Sequence, residues 1–224
     1  MSGFFVTGTD TDSGKTFFAT ALIHALRQQG AIVYPFKPVA AGAELIDGRL
    51  YNEDALALIR ASGQDLPYEL VNPYCFEPPI APHIAADQAG VRIVRERIRR
   101  CYNELATQPD HMVVEGAGGW RVPLDGDWDI AALAADLDLP VILVVGMKLG
   151  CLSHALLTVE SIQASGLKLA GWIASQTQPD MAVFDENIET LKRSIEAPFL
   201  GLLPHQPNIG AEEVASHIAV RKIL

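Results

Sequence analysis

The chain has 224 residues, 49% hydrophobic and 20% charged, with a net charge of −10 from 27 acids against 17 bases. That length suits one domain, taken as 1–224, able to bury roughly 70–75% of its unfolded surface. The composition excludes long disorder, and the acidic balance argues against general nucleic-acid binding and against attraction to anionic membranes. The strongest apolar run, Leu139 to Val145, is too short to span a bilayer and reads as a buried strand. Nothing at the N-terminus suggests export. Three cysteines, Cys75, Cys101 and Cys151, are an odd number at no metal-ligand spacing, which fits reduced thiols in a cytoplasm.

Phe4-Phe5-Val6 predicts a first strand, and Phe18, Leu22 and Leu26 recur at helical spacing behind it. Between them lies Gly8-Thr9-Asp10-Thr11-Asp12-Ser13-Gly14-Lys15-Thr16, in the context of a phosphate-cradling loop. In such a loop backbone N–H groups face phosphate oxygens, a lysine reaches the β/γ-phosphates, and a threonine hydroxyl can sit on Mg²⁺. Five residues, not four, separate the two glycines, and two of them, Asp10 and Asp12, would repel a triphosphate. Those carboxylates point to a second substrate.

Ala31 to Phe36 predicts the second strand, ended by Lys37-Pro38 because proline cannot continue a central ladder. Lys37 then stands at a strand's carboxyl end, where open α/β sheets collect ligands. Ala40 to Leu50 reads as a loop and Glu53 to Ser62 as a helix with Asp54 in its first turn. Local evidence alone makes Asp54 a complement to the helix dipole, worth about 0.3–1 kcal/mol. Leu66 to Pro82 holds five prolines among aromatic residues and predicts an ordered loop, after which His83 reads as a hydrogen-bonded structural histidine.

Arg92 to Thr107 predicts a helix with Val94, Ile98, Tyr102 and Leu105 on one stripe, its five arginines read as solvated charge. Met112-Val113-Val114 predicts a strand that delivers Glu115 at its carboxyl end, ahead of Gly116-Ala117-Gly118-Gly119. A carboxylate so placed is where phosphate-loop enzymes put a second Mg²⁺ contact. Asp129 to Asp138 is a predicted helix and Val141 to Val145 a central strand. The helix beginning near Cys151 offers free N–H donors to a carboxylate. Cys151 and His154 could meet as nucleophile and base, but no orienting acid lies nearby in sequence. Leu169 to Ala174, a helix from Met181 to Ser194, Pro198 to Leu203 and a C-terminal helix over Ala211 to Ile223 complete the chain. The count of six or seven strands alternating with helices predicts an α/β fold. It is a doubly wound, mainly parallel sheet of the P-loop NTPase class, flanked by helices.

Together the motifs resemble the dethiobiotin synthetase family. The resemblance is carried by Phe5-Val6-Thr7-Gly8-Thr9-Asp10-Thr11 with Gly14-Lys15-Thr16, by Lys37-Pro38-Val39-Ala40 and by Val71-Asn72-Pro73-Tyr74. It continues through Val114-Glu115-Gly116-Ala117-Gly118-Gly119-Trp120 and Val144-Val145-Gly146-Met147-Lys148-Leu149-Gly150-Cys151. It implies ATP, CO₂ and 7,8-diaminononanoate as substrates, Mg²⁺ as cofactor and a cytoplasmic homodimer, with neither nucleic acid nor membrane as partner. By resemblance Lys37 and Lys15 would be catalytic, and Thr16, Asp54 and Glu115 would contact Mg²⁺, which displaces the dipole reading of Asp54. ATP would meet Asp12, Ser13, Gly14, Lys15, Thr16, Phe17, Asp54, Glu115, Gly116, Ala117 and Gly118, with Ser175, Gln176, Pro204, His205 and Gln206 toward adenine. Among substrate contacts, Thr11 and Asp12 would lie near the diamine, Lys37 would stabilise the carbamate and its phosphorylated form, Ala41 would stand at the amine or carbamate end, and the backbone of Leu149, Gly150 and Cys151 would hold the far carboxylate.

Five positions depart from the family pattern. Ala41 replaces a usual Ser or Thr, Asp12 a frequent Glu, Ser175-Gln176 an adenine-recognising Asn-Asp pair, and Asn187 a tyrosine that some members donate across the dimer. A ParA/MinD-like ATPase switch is the rival reading, but Gly8 to Ser13 lacks the extra early lysine of such switches. A catalytically weakened synthetase paralogue is the other.

Overall fold

The computed structural model describes residues 2–205 and 208–224. Six strands form one parallel sheet: β1 (Ser2–Gly8), β2 (Val33–Phe36), β3 (His111–Gly119), β4 (Val141–Met147), β5 (Leu169–Gln176) and β6 (Phe199–Leu203). Their order across the sheet is β2-β3-β1-β4-β5-β6. From β1 the chain crosses to the edge strand β2, returns to β3 between the two, and then runs out on the other side of β1 through β4, β5 and β6. This reversal beside β1 opens a crevice at the carboxyl ends of the strands. The loop from Gly8 to Gly14 lies there.

Alternation along the strands divides the core. Phe4, Val6, Val113, Ile142 and Val144 pack with Phe18, Leu22 and Leu26 of the helix Lys15–Arg27 and with Leu58 of the helix Glu53–Ser62. Phe5, Met112 and Val114, one residue out of phase, face the opposite layer with Ile98, Tyr102, Ile130 and Leu133. Leu143, Val145 and Trp172 pack against Val159, Ile188 and Leu191, from the helices Cys151–Ala164 and Phe184–Ser194. Strands buried on both faces read as unbroken apolar runs, which is why β1 and β4 were plain in the sequence.

Several boundaries differ from expectation for local reasons. The predicted loop over 40–50 holds a strand, Val39–Ala41, paired in parallel with Tyr74–Phe76, and a hairpin of Glu44–Ile46 with Arg49–Tyr51. Its turn is Asp47-Gly48, at φ 49° and 78°, a pair suited to a two-residue hairpin. The helix predicted over 92–107 covers Arg95–Leu105, because the extended Val94 spends its N–H on the Tyr74 hydroxyl at 2.9 Å. Arg92 pairs with Asp125, Arg95 lies over Trp128 and Arg97 over Tyr74, so these cations have partners on the protein's own surface. The segment predicted as one C-terminal helix is the short helix Ala211–Ala215 followed by a 3₁₀ turn at Val220–Lys222. Between them Ala219 donates its N–H to the Leu200 carbonyl at 2.9 Å, which draws the chain onto β6 and ends the helix.

Candidate functional site

The phosphate loop takes its shape from close contacts. Gly14 caps the helix Lys15–Arg27 in the left-handed region, at φ 88°, and a Cβ there would strike the Ser175 hydroxyl. Asp12 also has positive φ, 57°, a conformation for which aspartate is among the better-tolerated side chains. Lys15 is 7% exposed and donates from Nζ to the carbonyl of Asp10 at 3.0 Å. Burial pushes its ammonium below the usual 10.5, against the pull of Glu115.

Beside it three charged side chains from three elements converge. Lys37, just past the end of β2, places Nζ 2.7 Å from Glu115 Oε1 and 3.2 Å from Asp54 Oδ2. Glu115 Oε1 also accepts the Thr16 hydroxyl at 2.8 Å, so one carboxylate oxygen joins the phosphate loop to the second lysine. Burial works against the Lys37 charge, but Glu115 and Asp54 outweigh it and hold the ammonium above 10.5. Glu115 Oε2 is buried with no hydrogen-bond partner. An acceptor left open beside a hydroxyl and a partly exposed carboxylate is a set of hard oxygen donors, which fits Mg²⁺. Among the described residues, no group of three His, Cys, Asp or Glu side chains stands close enough to hold a metal without help from a hydroxyl, water or ligand.

These groups open on a cavity of about 890 Å³ lined also by Thr11, Asp12, Gly14, Phe17, Ala41, Ala117 and Gly118. Ser13 lies in a neighbouring space of about 360 Å³ with Asp10 and Lys148. A Cβ at Gly116 would meet Ile130 and Phe5, both at 3.2 Å, so this close approach to the core favours glycine. On the far side of Gly14 stand Ser175 and Gln176, and Gln176 Oε1 accepts the His205 N–H at 3.3 Å. Pro204 precedes that histidine, and Gln206 lies outside the described residues. Leu149, Gly150 and Cys151 are not among the residues lining the large cavity. Leu149 is 97% exposed, and the Cys151 N–H donates to the Lys148 carbonyl at 2.9 Å. The Cys151 side chain is buried, which pushes its thiol up. His83 Nδ1 is buried and unpartnered, unlike the hydrogen-bonded residue expected from sequence.

Sequence reasoning passed over two features. Lys148 donates to Asp10 Oδ2 at 2.6 Å and holds that carboxyl below its ordinary range, which removes one of the two carboxylate charges from the loop's account. Asn52, Tyr68 and Asn72 form a chain of hydrogen bonds behind Lys37 and Asp54. An asparagine just before a helix was a legible cap signal at Asn52, but nothing local marked its link to Lys37.

A family model described as an AAA domain matches residues 2–213. An ATP-dependent dethiobiotin synthetase of Aromatoleum aromaticum is 54% identical over 214 residues, covering 96% of this chain and 95% of the relative. One from Pseudomonas paraeruginosa is 48% identical over 224 residues, covering 100% and 98%. The chain belongs to the dethiobiotin synthetase family. Among solved structures, a ParA family ATPase of Chlorobium tepidum aligns with TM-score 0.57 at 17% identity, covering 99% of this chain and 92% of that one. The septum site-determining protein MinD of Pyrococcus horikoshii, complexed with Mg-ADP, aligns with TM-score 0.58 at 18% identity, covering 99% and 88%. At such identities these two likenesses speak for the fold alone. Family membership sets the six-stranded parallel sheet and its phosphate loop in a synthetase rather than a switch.

Proposed function

We propose that this chain is an ATP-dependent cyclo-ligase that converts 7,8-diaminononanoate and CO₂ to dethiobiotin, ADP and phosphate, with 1–224 acting as one catalytic domain. The observation that carries this reading is the shared oxygen of Glu115, which sets Lys37 beside the phosphate loop within one cavity. An amine nitrogen attacks CO₂ and loses a proton, giving a carbamate anion. A carbamate oxygen then attacks the γ-phosphorus as the bond to ADP breaks. The second amine attacks the carbonyl carbon, expels phosphate and loses a proton, closing the ring.

Two anions must meet in the phosphoryl-transfer step, and concentrated positive charge in a site partly closed to water lowers that barrier. Lys15 would draw the triphosphate, and Lys37 would stabilise the carbamate and its phosphorylated form. Thr11 and Asp12 line the cavity and would meet the amines, while Ala41 offers no hydroxyl there. Thr16, Asp54 and Glu115 would hold Mg²⁺, which when bound neutralises charge on the phosphates. Holding amines, carbamate and phosphate in line supplies several kcal/mol more. A homodimer in the cytoplasm completes the proposal. Among the described residues no helix is long and apolar enough to cross a membrane.

The test is ATP hydrolysis with and without diaminononanoate and bicarbonate, with the ring product identified by mass. Phosphate release that depends on the diamine and yields dethiobiotin is expected. Release that ignores the diamine would favour the ATPase-switch reading.

A further inference from the structure

Lys37 and Asp54 come from different elements, and their 3.2 Å separation requires those elements to be held in register. Lys37 is gripped through its backbone by one short stretch. Its N–H donates to the Val71 carbonyl at 2.9 Å, and its carbonyl accepts from Asn72 Nδ2 at 2.6 Å. Asp54 rides in the first turn of the helix Glu53–Ser62, which Asn52 caps by accepting the Ala55 N–H at 3.3 Å. Between the two stands the hydroxyl of Tyr68. It accepts the Asn52 N–H at 2.7 Å and donates its one proton to Asn72 Oδ1 at 2.9 Å. Asn52 and Asn72 are 5% and 3% exposed, so water does not readily replace a lost partner.

We propose that the Tyr68 hydroxyl is a positioning group for the reaction, fixing Lys37 and Asp54 relative to each other through Asn72 and Asn52. Removing the hydroxyl alone leaves the ring packed on Tyr51, whose centroid is 4.8 Å away, and leaves the short helix Tyr68–Val71 in place. What changes is polar. Asn52 loses the acceptor for its N–H, Cys75 Sγ loses a weak contact at 3.5 Å, and the Asn72 amide is held beside Lys37 only by its longer bond to the Tyr74 carbonyl at 3.3 Å, so its grip on the Lys37 carbonyl loosens. The phosphate loop reaches these groups only through Glu115, which bonds both Thr16 and Lys37, so the larger effect should fall on turnover and the smaller on ATP affinity.

The inference rests on the synthetase reading, and one set of measurements separates the two. Wild-type protein is first assayed for dethiobiotin by mass; no product would defeat the reading itself. Given product, Tyr68→Phe should lower kcat roughly 10- to 100-fold, as small misplacement of reacting groups does, with KM for ATP within about threefold. Tyr74→Phe is the control, because its hydroxyl holds only the Val94 N–H, while the backbone carbonyl by which Tyr74 accepts from Asn72 Nδ2 at 3.3 Å is untouched by the substitution. It should keep kcat within about twofold at a comparable loss of thermal stability. In an Asp54→Asn background Tyr68→Phe should cost less than about threefold, since groups that act together are not additive. Asn72→Asp keeps an acceptor for Tyr68 but removes the donor to Lys37, and it should reproduce the kcat loss even if Tyr68→Phe fails to fold. Equal slowing by Tyr68→Phe and Tyr74→Phe, a loss confined to KM, or additivity with Asp54→Asn would overturn the proposal.

Discussion

Lys15 and Lys37 line one cavity and are buried to nearly the same degree, 7% and 4% exposed, yet Lys15 donates to a neutral carbonyl while Lys37 lies between two carboxylates. Burial therefore wins at Lys15 and depresses its pKa, and the carboxylates win at Lys37 and raise it. The phosphate-loop side holds positive charge that lacks an anionic partner in hydrogen-bond contact. The Glu115 side holds charge already matched. A difference in partners, not in depth, sets the two lysines to different tasks.

The sharpest way to break this contrast is to replace each lysine with methionine. Lys37→Met leaves Glu115, 1% exposed, without its counter-charge. Breaking a buried pair in this way costs roughly 3–5 kcal/mol, read by urea unfolding of the ligand-free protein. A loss under about 1 kcal/mol would show that Glu115 does not depend on Lys37. Lys15→Met should leave the ligand-free protein within about 1 kcal/mol of wild type or above it, because a buried ammonium with only a carbonyl partner contributes little. It should instead abolish stabilisation by ATP, which for wild type is about 2.7 kcal/mol at a hundredfold excess over Kd. A Lys15→Met protein that ATP still stabilises would remove Lys15 from phosphate binding.

Titration sharpens the same contrast. The folded pKa of Lys15 lies below 10.5, so between the two values the unfolded chain binds more protons and stability rises with pH. The folded pKa of Lys37 lies above 10.5; its contribution is fully present below that pH and is lost as pH climbs through the folded value. A triphosphate set against Lys15 restores the ammonium. ATP binding at about pH 10 should thus take up part of a proton, seen as a dependence of the binding heat on buffer ionisation enthalpy. Tyr74→Phe, which leaves Lys15 in place, should keep that dependence, and a wild-type binding heat that ignores the buffer would show that ATP does not restore the Lys15 charge.

Much of the fold was legible because β1 and β4 are unbroken apolar runs and the Glu53–Ser62 helix carries its cap and its stop, Asn52 and Gly63. The Asp47-Gly48 pair is a legible hairpin turn as well, though the small residues around it read as loop. Other features are tertiary. The break before the final 3₁₀ turn comes from a carbonyl on β6, and the pairing of Lys148 with Asp10 spans 138 positions. In the site, Lys15 and Thr16 are marked by local spacing and Glu115 by its strand end. Asp54 reads locally as an ordinary helix-start acid, and only its 3.2 Å approach to Lys37 sets it apart.

The smallest expected effect concerns a second helix start. Lys15 and Cys151 each open a helix directly after a left-handed glycine, Gly14 at φ 88° and Gly150 at φ 95°. Both positions sit at the positive end of a helix dipole, which by itself favours a thiolate at Cys151. Burial opposes it and prevails, holding the thiol above its usual 9.0. The Lys15 side chain reaches the cavity, whereas the Cys151 side chain packs with Leu143, Val145 and Ala155. Cys151→Ala should therefore change turnover less than about twofold and cost about 1 kcal/mol of stability from the lost sulfur. The native thiol should react slowly with iodoacetamide at neutral pH and rapidly once the chain is unfolded. Rapid native alkylation accompanied by loss of turnover would make the two helix starts alike, both presenting a reactive side chain to ligand.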